Sequence, residues 1–530
     1  MAPGTWPESP DNGPRTPNLT PELTHDSYVC IHGHWYQPPR ENSFTGEISE
    51  QESAAPFVNW NERITAECYD PNTRAEILDE DGSVRRRINN YGWVSSDWGP
   101  TLLDWLEKHH PDTYLRIVEA DRDSMERFGG HGTAVAHTYN HTILPLSNRR
   151  DKRTQILWGL ADFRHRFGRE PEGMWLPETA VDLESLELMA GAGIRFTILS
   201  PYQAASVLEG DEWIDVVGGS IDTRVPYEVQ LFGGRSIGVF FYDGPLSQEI
   251  AFDGLLEDGS VLAKRLVQAL GEPNGEARLS HAATDGETYG HHHRHGEMAL
   301  ARAIEELEAD PGVQLTNYAE FLAEHPPTRI ARIIEGTSWS CAHGVDRWRA
   351  DCGCQTGQHL DWNQEWRGHL RDGLDLLRDS LIDDFETRGA TVLDDPWTAR
   401  DAYIEVILGG DEELFIEEHG RPGLDAGGRA LALDLLEIQY RAMLMYTSCG
   451  WFFDDIAGLE AIFVLRHAGM AIDHSRRALG MDLEPGFLEI LERARSNVEA
   501  RTGRSVYEEW VAPYMSTHAR GSSGARSARS

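Results

Sequence analysis

Between Tyr28 and about residue 325 the chain alternates short runs of strand character with amphipathic helices, and few folds satisfy that order. The strand-like runs are YVCIH, GTAVAHTY, EGMW, RFTILS, SIGVFFYD, ARLSHAAT and the short VQLT. Between the first two lies TLLDWLEKHHPDTYLRIVEA, entered at Gly99-Pro100 and interrupted near Pro111. TQILWGLADFRHRFG, closed by Gly168, comes next; after EGMW follows a helix that Asp182 caps and Gly191 or Gly193 closes. SVLAKRLVQALG and EMALARAIEELEAD complete the series. Parallel strands need helical crossovers, so six or seven such repeats predict an α/β fold with a mostly parallel sheet, closed or nearly closed as a barrel.

After about residue 330 the apolar spacing is helical almost throughout, as in LRDGLDLLRDSLIDDFE, RALALDLLEIQYRAMLMY and IAGLEAIFVLRHAGMAIDHSRRAL. The predicted organisation is a Pro-, Asn- and Thr-rich arm at 1–27, a β/α domain at 28–330, an α-helical domain at 331–515 and a small, polar, basic tail at 516–530. The arm and tail have the composition of disordered segments.

Charge narrows the function classes. Asp and Glu number 87 against 48 Lys and Arg, a net charge of −39, which argues against a nucleic-acid partner. Only Lys108, Lys152 and Lys264 are lysines, and an acidic, lysine-poor surface fits a protein that stays soluble in concentrated salt, as in a halophile. No run approaches the roughly 20 apolar residues that span a bilayer. The N-terminus has neither a basic start nor an apolar core, so a cytoplasmic protein without a membrane partner is expected. In that setting Cys30, Cys68, Cys341, Cys352, Cys354 and Cys449 are expected to stay reduced.

Sites in β/α folds lie at the carboxyl ends of the strands, and four such ends here are unusually polar. They are IHGHWYQPPR with His32, His34 and Gln37; AHTYNHTILPL with His137 and His141; GMWLPETA with Glu178; and HAATDGETYGHHHRH with Asp285 and Glu287. Two carboxylates from separate strands, ringed by His and Trp, are what glycoside cleavage requires. One attacks the anomeric carbon while the other protonates the leaving oxygen. Trp35 and Trp175 fit either a packed core or a face on which a sugar ring stacks. The His291–His295 run reads as the polar start of the next helix.

The order HGHWYQP, HTYNH, WLPE, TDGE resembles glycoside hydrolase family 57, and most of all its α-amylase/α-mannosidase-like subgroup with a helical C-terminal domain of unassigned function. The resemblance implies an incomplete (β/α)7 barrel followed by an α-helical domain, and a retaining hydrolase or transglycosylase acting on α-linked glucans or oligosaccharides. It implies Glu178 as nucleophile and Asp285 as general acid/base. It places His32, His34, His137, His141 and Trp175 around the sugar, with Trp339 and Trp348 in a loop reaching the cleft from the domain junction; Trp35, Gln37 and Glu287, at the same strand ends, are expected to line it as well. Neither metal nor cofactor is expected in that chemistry. The motif LTNYAEFL around Asn317 is too faint a match to transfer a role.

Three other readings compete. His137-Thr-Tyr-Asn-His141 is also similar to the metal motif of polysaccharide deacetylases, whose zinc activates a water. Those enzymes carry paired aspartates after the first strand, where this chain has HGHWYQ. A non-catalytic carbohydrate-binding protein would be expected to have lost one carboxylate, and both are present. Finally, Cys341-Ala-His343 and Cys352-Gly-Cys354 gather three thiols and an imidazole within fourteen residues, a set that zinc accepts. Their one-residue gaps are tighter than the common spacing. The segment is therefore read as a Trp-rich loop over the sugar site with small cysteine fillers.

Overall fold

The computed structural model describes residues 26–515 apart from Gln358 and Glu499, so the predicted tail and all but the last two residues of the predicted arm lie outside the described residues. Seven parallel strands build the first domain: β1 (Ser27–Trp35), β2 (Ser95–Trp98), β3 (Ala134–His137), β4 (Met174–Trp175), β5 (Phe196–Leu199), β6 (Ser236–Phe241) and β7 (Arg278–Asp285). Around the barrel they run β7-β1-β2-β3-β4, continued to β5 by a parallel bridge between Gly173 and Phe196 and then to β6. Between β6 and β7 no ladder forms among the described residues. The two edges touch where the Asp243 amide donates to the His281 carbonyl, 3.0 Å. The barrel is thus incomplete, as expected.

The helices begin and end where the sequence chemistry places them. Pro100 opens α1 (Pro100–His109), and the chain breaks at His110 before Pro111 opens α2 (Pro111–Arg127). The Asn148 side chain caps α3 (Arg149–Phe167), and Gly168 closes it in the left-handed region at φ 66°. Asp182 caps α4 (Leu183–Gly191) by accepting from the Ser185 amide. Then come α5 (Gly244–Phe252), α6 (Gly259–Ala269) and α7 (Gly296–Ala309). His295, last of the histidine run, is the residue before α7.

Two parts were not anticipated. Strand β2 has the sequence Ser-Ser-Asp-Trp, too polar and short to register as a strand, yet all four residues are buried. A second layer extends β6 through strands at 227–230, 329–333, 204–209 and 212–215. The expected domain boundary at 330 therefore falls inside a strand, and the long helices start only at Trp366. Among the described residues no helix is long and apolar enough to cross a membrane.

The helical domain packs α8 (Trp366–Val392), α9 (Ala426–Leu444) and α10 (Leu459–Leu479) against one another. Its core runs on into the barrel without a break, since Tyr139, Ile143 and Trp158 belong to the same apolar cluster as Leu374, Leu436 and Leu465. A buried ion pair crosses the junction: Arg400 Nη1 meets Asp151 Oδ1 at 2.7 Å, and Arg400 Nη2 donates to Thr154 Oγ1 at 2.9 Å. Removing one partner of such a pair strands the other charge, at a cost of about 3–5 kcal/mol. Arg400→Ala is expected to lower stability by about that amount in urea melts, with both domains still unfolding in one transition. A loss under about 1 kcal/mol would mean the junction does not depend on this pair.

Candidate active site

The carboxyl ends of β7, β1, β2, β3 and β4 carry, in that order, Asp285, His32 with His34, Asp97, His137 and the turn to Glu178. Register does part of this work, because His34 lies opposite Asp285 on one side and Asp97 on the other. The centre is Asp97, fully buried, whose Oδ1 takes His32 Nε2 at 3.0 Å and whose Oδ2 takes His34 Nδ1 at 2.8 Å. His34 Nε2 lies 3.1 Å from His141 Nε2, and His141 Nδ1 lies 2.6 Å from Ser448 Oγ of the helical domain. His137 Nε2 stands 3.9 Å from Asp97 Oδ2 and has no hydrogen bond of its own among the described residues.

Electrostatics fixes where the protons sit. Burial would raise Asp97, but the His34 charge and the two imidazole donors hold it down at about 2. Burial would lower His34, yet Asp97, with Asp285 and Glu287 beyond it, lifts it to about 9. Burial keeps the others neutral: His32 is lowered, His137 drops to about 4, and His141 lies well below the usual range. One assignment satisfies all three contacts: cationic His34 donates to His141 Nε2, His141 Nδ1–H donates to Ser448, and His32 accepts from Ser95 Oγ at 3.0 Å.

Glu178 follows β4 in the left-handed region, φ 58°, and Thr179 follows it at φ 50°. Consecutive non-glycine residues there are costly, so the surrounding structure must impose the turn. It does so from the domain junction: the Trp339 amide donates to the Glu178 carbonyl at 3.0 Å. The carboxylate Oε2 accepts from Trp339 Nε1 at 3.0 Å and Ser340 Oγ at 2.6 Å, and Oε1 carries no hydrogen bond among the described residues. Burial raises the Glu178 carboxyl. The Ser340 and Trp339 donors pull it back, while the charge of Asp285 pushes it further up.

Asp285, the last residue of β7, is exposed to solvent at its surface, yet packed protein crowds its carboxyl. That crowding raises its carboxyl, with His34 opposing and Asp97 adding to the rise. Glu287 is buried behind it, hydrogen-bonded by the Tyr69 hydroxyl, and is lifted to about 7 by burial and by the charge of Asp285.

The remaining predicted residues divide. Trp175 stacks on His32 and His34 with ring centroids 4.9 and 5.3 Å apart, and Trp339 meets its edge at 5.1 Å. Gln37 is buried and accepts from Arg40 Nη2 at 2.7 Å. Trp35 instead stacks on Trp98 in the core behind the barrel wall, and Trp348 is buried in the core of the helical domain; neither faces the cleft. Sequence reasoning missed Asp97, Ser340, Ser448 and Tyr36, whose ring stacks on His141 at 3.7 Å. Asp97 had a signal, a polar strand end directly before the Gly99-Pro100 helix start; Ser448, 307 residues from its partner, had none.

An incomplete β/α barrel whose paired acids and histidine floor open at the carboxyl ends of its strands is a known class of protein. The profile of glycosyl hydrolase family 57 matches residues 51–334, just over half of the chain, and the chain belongs to that family. Residues 362–523 match a domain of unknown function (DUF3536). The chain is 25% identical over 249 residues to an α-amylase of Pyrococcus horikoshii, covering 45% of this chain and 36% of the relative. It is 24% identical over 277 residues to a 4-alpha-glucanotransferase of Thermococcus litoralis, covering 50% and 37%. The chain thus spans less than two-fifths of the length of these curated relatives. An exo-type maltose-forming amylase from Pyrococcus sp. ST04 shares the fold at TM-score 0.66 and 17% identity, over 93% of this chain and 94% of that one. The family match starts at residue 51, so β1 with its two histidines joins the domain through its pairing with β7 and β2.

Glu287 makes stability pH-dependent in a defined sense. Between about pH 4.5 and 7 the folded chain keeps a proton that the unfolded chain releases, so this group's contribution falls as pH rises through that window. Glu287→Gln is expected to be more stable than wild type at pH 8 by up to about 3 kcal/mol and equal to it near pH 4.5, in urea melts at the two values. A difference independent of pH would show that Glu287 is not the group held protonated.

Proposed function

We propose that the chain is a retaining glycoside hydrolase or transglycosylase acting on α-linked glucans or oligosaccharides, with Glu178 as nucleophile and Asp285 as general acid/base. The observation that carries this is a shared floor. Glu178 hangs from β4 beside Trp339, Asp285 ends β7 opposite His34, and the charge of Asp285 is felt at Glu178. In the first step Glu178 Oε1 attacks the anomeric carbon while the Asp285 proton passes to the glycosidic oxygen, whose bond to that carbon breaks. Esterifying Glu178 removes its negative charge from the site and leaves Asp285 as a carboxylate. Asp285 then takes a proton from water or a sugar hydroxyl as that oxygen displaces Glu178. Water gives hydrolysis; a sugar gives transfer. The donors on Oε2 favour the ionised carboxylate and hold the other oxygen toward the cleft. Cytoplasmic residence and a salt-rich interior belong to the same reading, and the net charge of −39 is the reason to assay in high as well as low salt.

A second reading rests on one observation: ring nitrogens of His34, His137 and His141 all lie within 4.8 Å of one another, a set able to hold a metal ion that activates water against an acetamide or ester. It predicts metal-dependent turnover abolished by His137→Ala.

The discriminating experiment varies the leaving group. Asp285→Asn is expected to lose about 10²–10⁴-fold in kcat/KM on maltooligosaccharides and far less on an α-glucosyl fluoride, which departs without a proton. Glu178→Ala is expected to be inactive on both. Equal losses of Asp285→Asn on both substrates would remove it as the acid, and activity restricted to acetylated sugars would favour the histidine-held metal.

A further inference from the structure

We propose that Cys341, His343, Cys352 and Cys354 bind one zinc ion in a closed, tetrahedral, structural site that fixes the loop over the cleft. The sequence favoured a loop with cysteines as filler; the fold instead turns all four donor atoms toward one point, within 4.8 Å of one another. Cys341 Sγ lies 3.9 Å from Cys352 Sγ and 3.8 Å from Cys354 Sγ, and Cys354 Sγ lies 3.5 Å from His343 Nδ1. With Zn–S of about 2.3 Å and Zn–N of about 2.05 Å, the edges of a tetrahedron are about 3.8 Å for two sulfurs and about 3.5 Å for sulfur and nitrogen. All three separations match. A disulfide needs sulfurs about 2.05 Å apart, and three thiols leave one unpaired in any case. Thiolate-rich donors select zinc over hard cations, and four protein ligands leave no open position for a substrate or water.

The backbone is shaped for this convergence. Gly353, between the two cysteines of the second pair, sits at φ 78°, a conformation that lets adjacent thiols turn to the same side.

Two buried arginines supply an independent argument. Arg367 donates to the carbonyls of Cys354, Phe452 and Phe453, and Arg347 to those of Ser340 and Phe452; among the described residues neither has a carboxylate in direct contact, Asp454 and Glu178 acting on them only from further away. Buried cations need a counter-charge. One Zn²⁺ with three thiolates and a neutral imidazole carries a net charge of −1 beside them.

The site also has a consequence for the cleft, and this part rests on the proposed role of Glu178. Cys341 directly follows Trp339 and Ser340, the two donors to Glu178 Oε2. A metal tie at Cys341 holds both donors in place along a segment whose regular structure is one short turn at 346–348. Trp339 and Ser340 are then positioning residues, and zinc acts through them.

Metal content of the purified full chain, read without substrate, tests the site whatever the enzyme acts on. About one zinc per chain is expected. It should be released when the thiols are titrated with a mercurial, and replacement by cobalt should give the visible absorption of a tetrahedral cobalt–thiolate centre. Cys352→Ser/Cys354→Ser should lose the zinc and His137→Ala should keep it. On maltooligosaccharides, zinc removal should lower kcat several-fold with a smaller change in KM, and zinc readdition should restore it. A zinc-free chain from zinc-replete medium, or zinc that resists thiol titration and disappears in His137→Ala, would overturn the proposal. Should the double cysteine variant fail to fold, the thiol titration and cobalt spectrum of the wild-type chain decide alone.

Discussion

The top of the barrel is organised around one buried charge. Asp97 sits where no water reaches, so its ionisation depends on a cation in contact with it, and His34 is that cation. The pair joins β1 to β2. Through His141 and Ser448 the same network crosses into the helical domain, and through register His34 stands beside Asp285. A histidine held positive between two acids sets the field in which the proposed acid/base works. It also explains why the helical domain is fused to the barrel's core instead of tethered beside it: part of the floor's hydrogen bonding comes from that domain.

Glu178 illustrates how such a site concentrates strain. The turn after β4 places two side-chain-bearing residues in the left-handed region, and His141 after β3 adopts it too at φ 53°. Three of the four non-glycine residues with positive φ among those described therefore belong to the site. The compensation is local: donors from 339–340 clamp Glu178, and residues 341–354 gather the thiols and imidazole that hold those donors. The helical domain, the loop and the Glu178 turn thus form one mechanical unit, built from segments more than 160 residues apart.

Much of this was legible in the sequence for physical reasons. Strands buried on both faces are apolar runs, and helix ends carry caps such as Asp182 and stops such as Gly168, so the β/α alternation is written locally. The strand-end acids and histidines stand out because polar residues interrupt those runs. β2 was invisible because its residues are chosen for the network and not for packing: Ser95 bonds His32 and Asp97 bonds both histidines. The tryptophans misled for a related reason. Trp35 and Trp175 each end a strand, and only tertiary packing decides that Trp35 stacks on Trp98 in the wall while Trp175 stacks on the histidines. The Ser448 contact depends on tertiary closure that no local pattern records, whereas Cys341, His343, Cys352 and Cys354 stood out in the sequence and only the approach of their donor atoms did not.

Glu178 and Asp285, far apart along the chain, are proposed to work on one sugar. Trapping the intermediate examines this most directly: the chain is incubated with a slow fluorinated α-glucosyl fluoride, digested with protease, and the modified peptide is sequenced by mass spectrometry. A single glycosyl ester on Glu178, accumulating faster than it hydrolyses, is the predicted result. A label on any other side chain, or turnover with inversion and no covalent species, would contradict it.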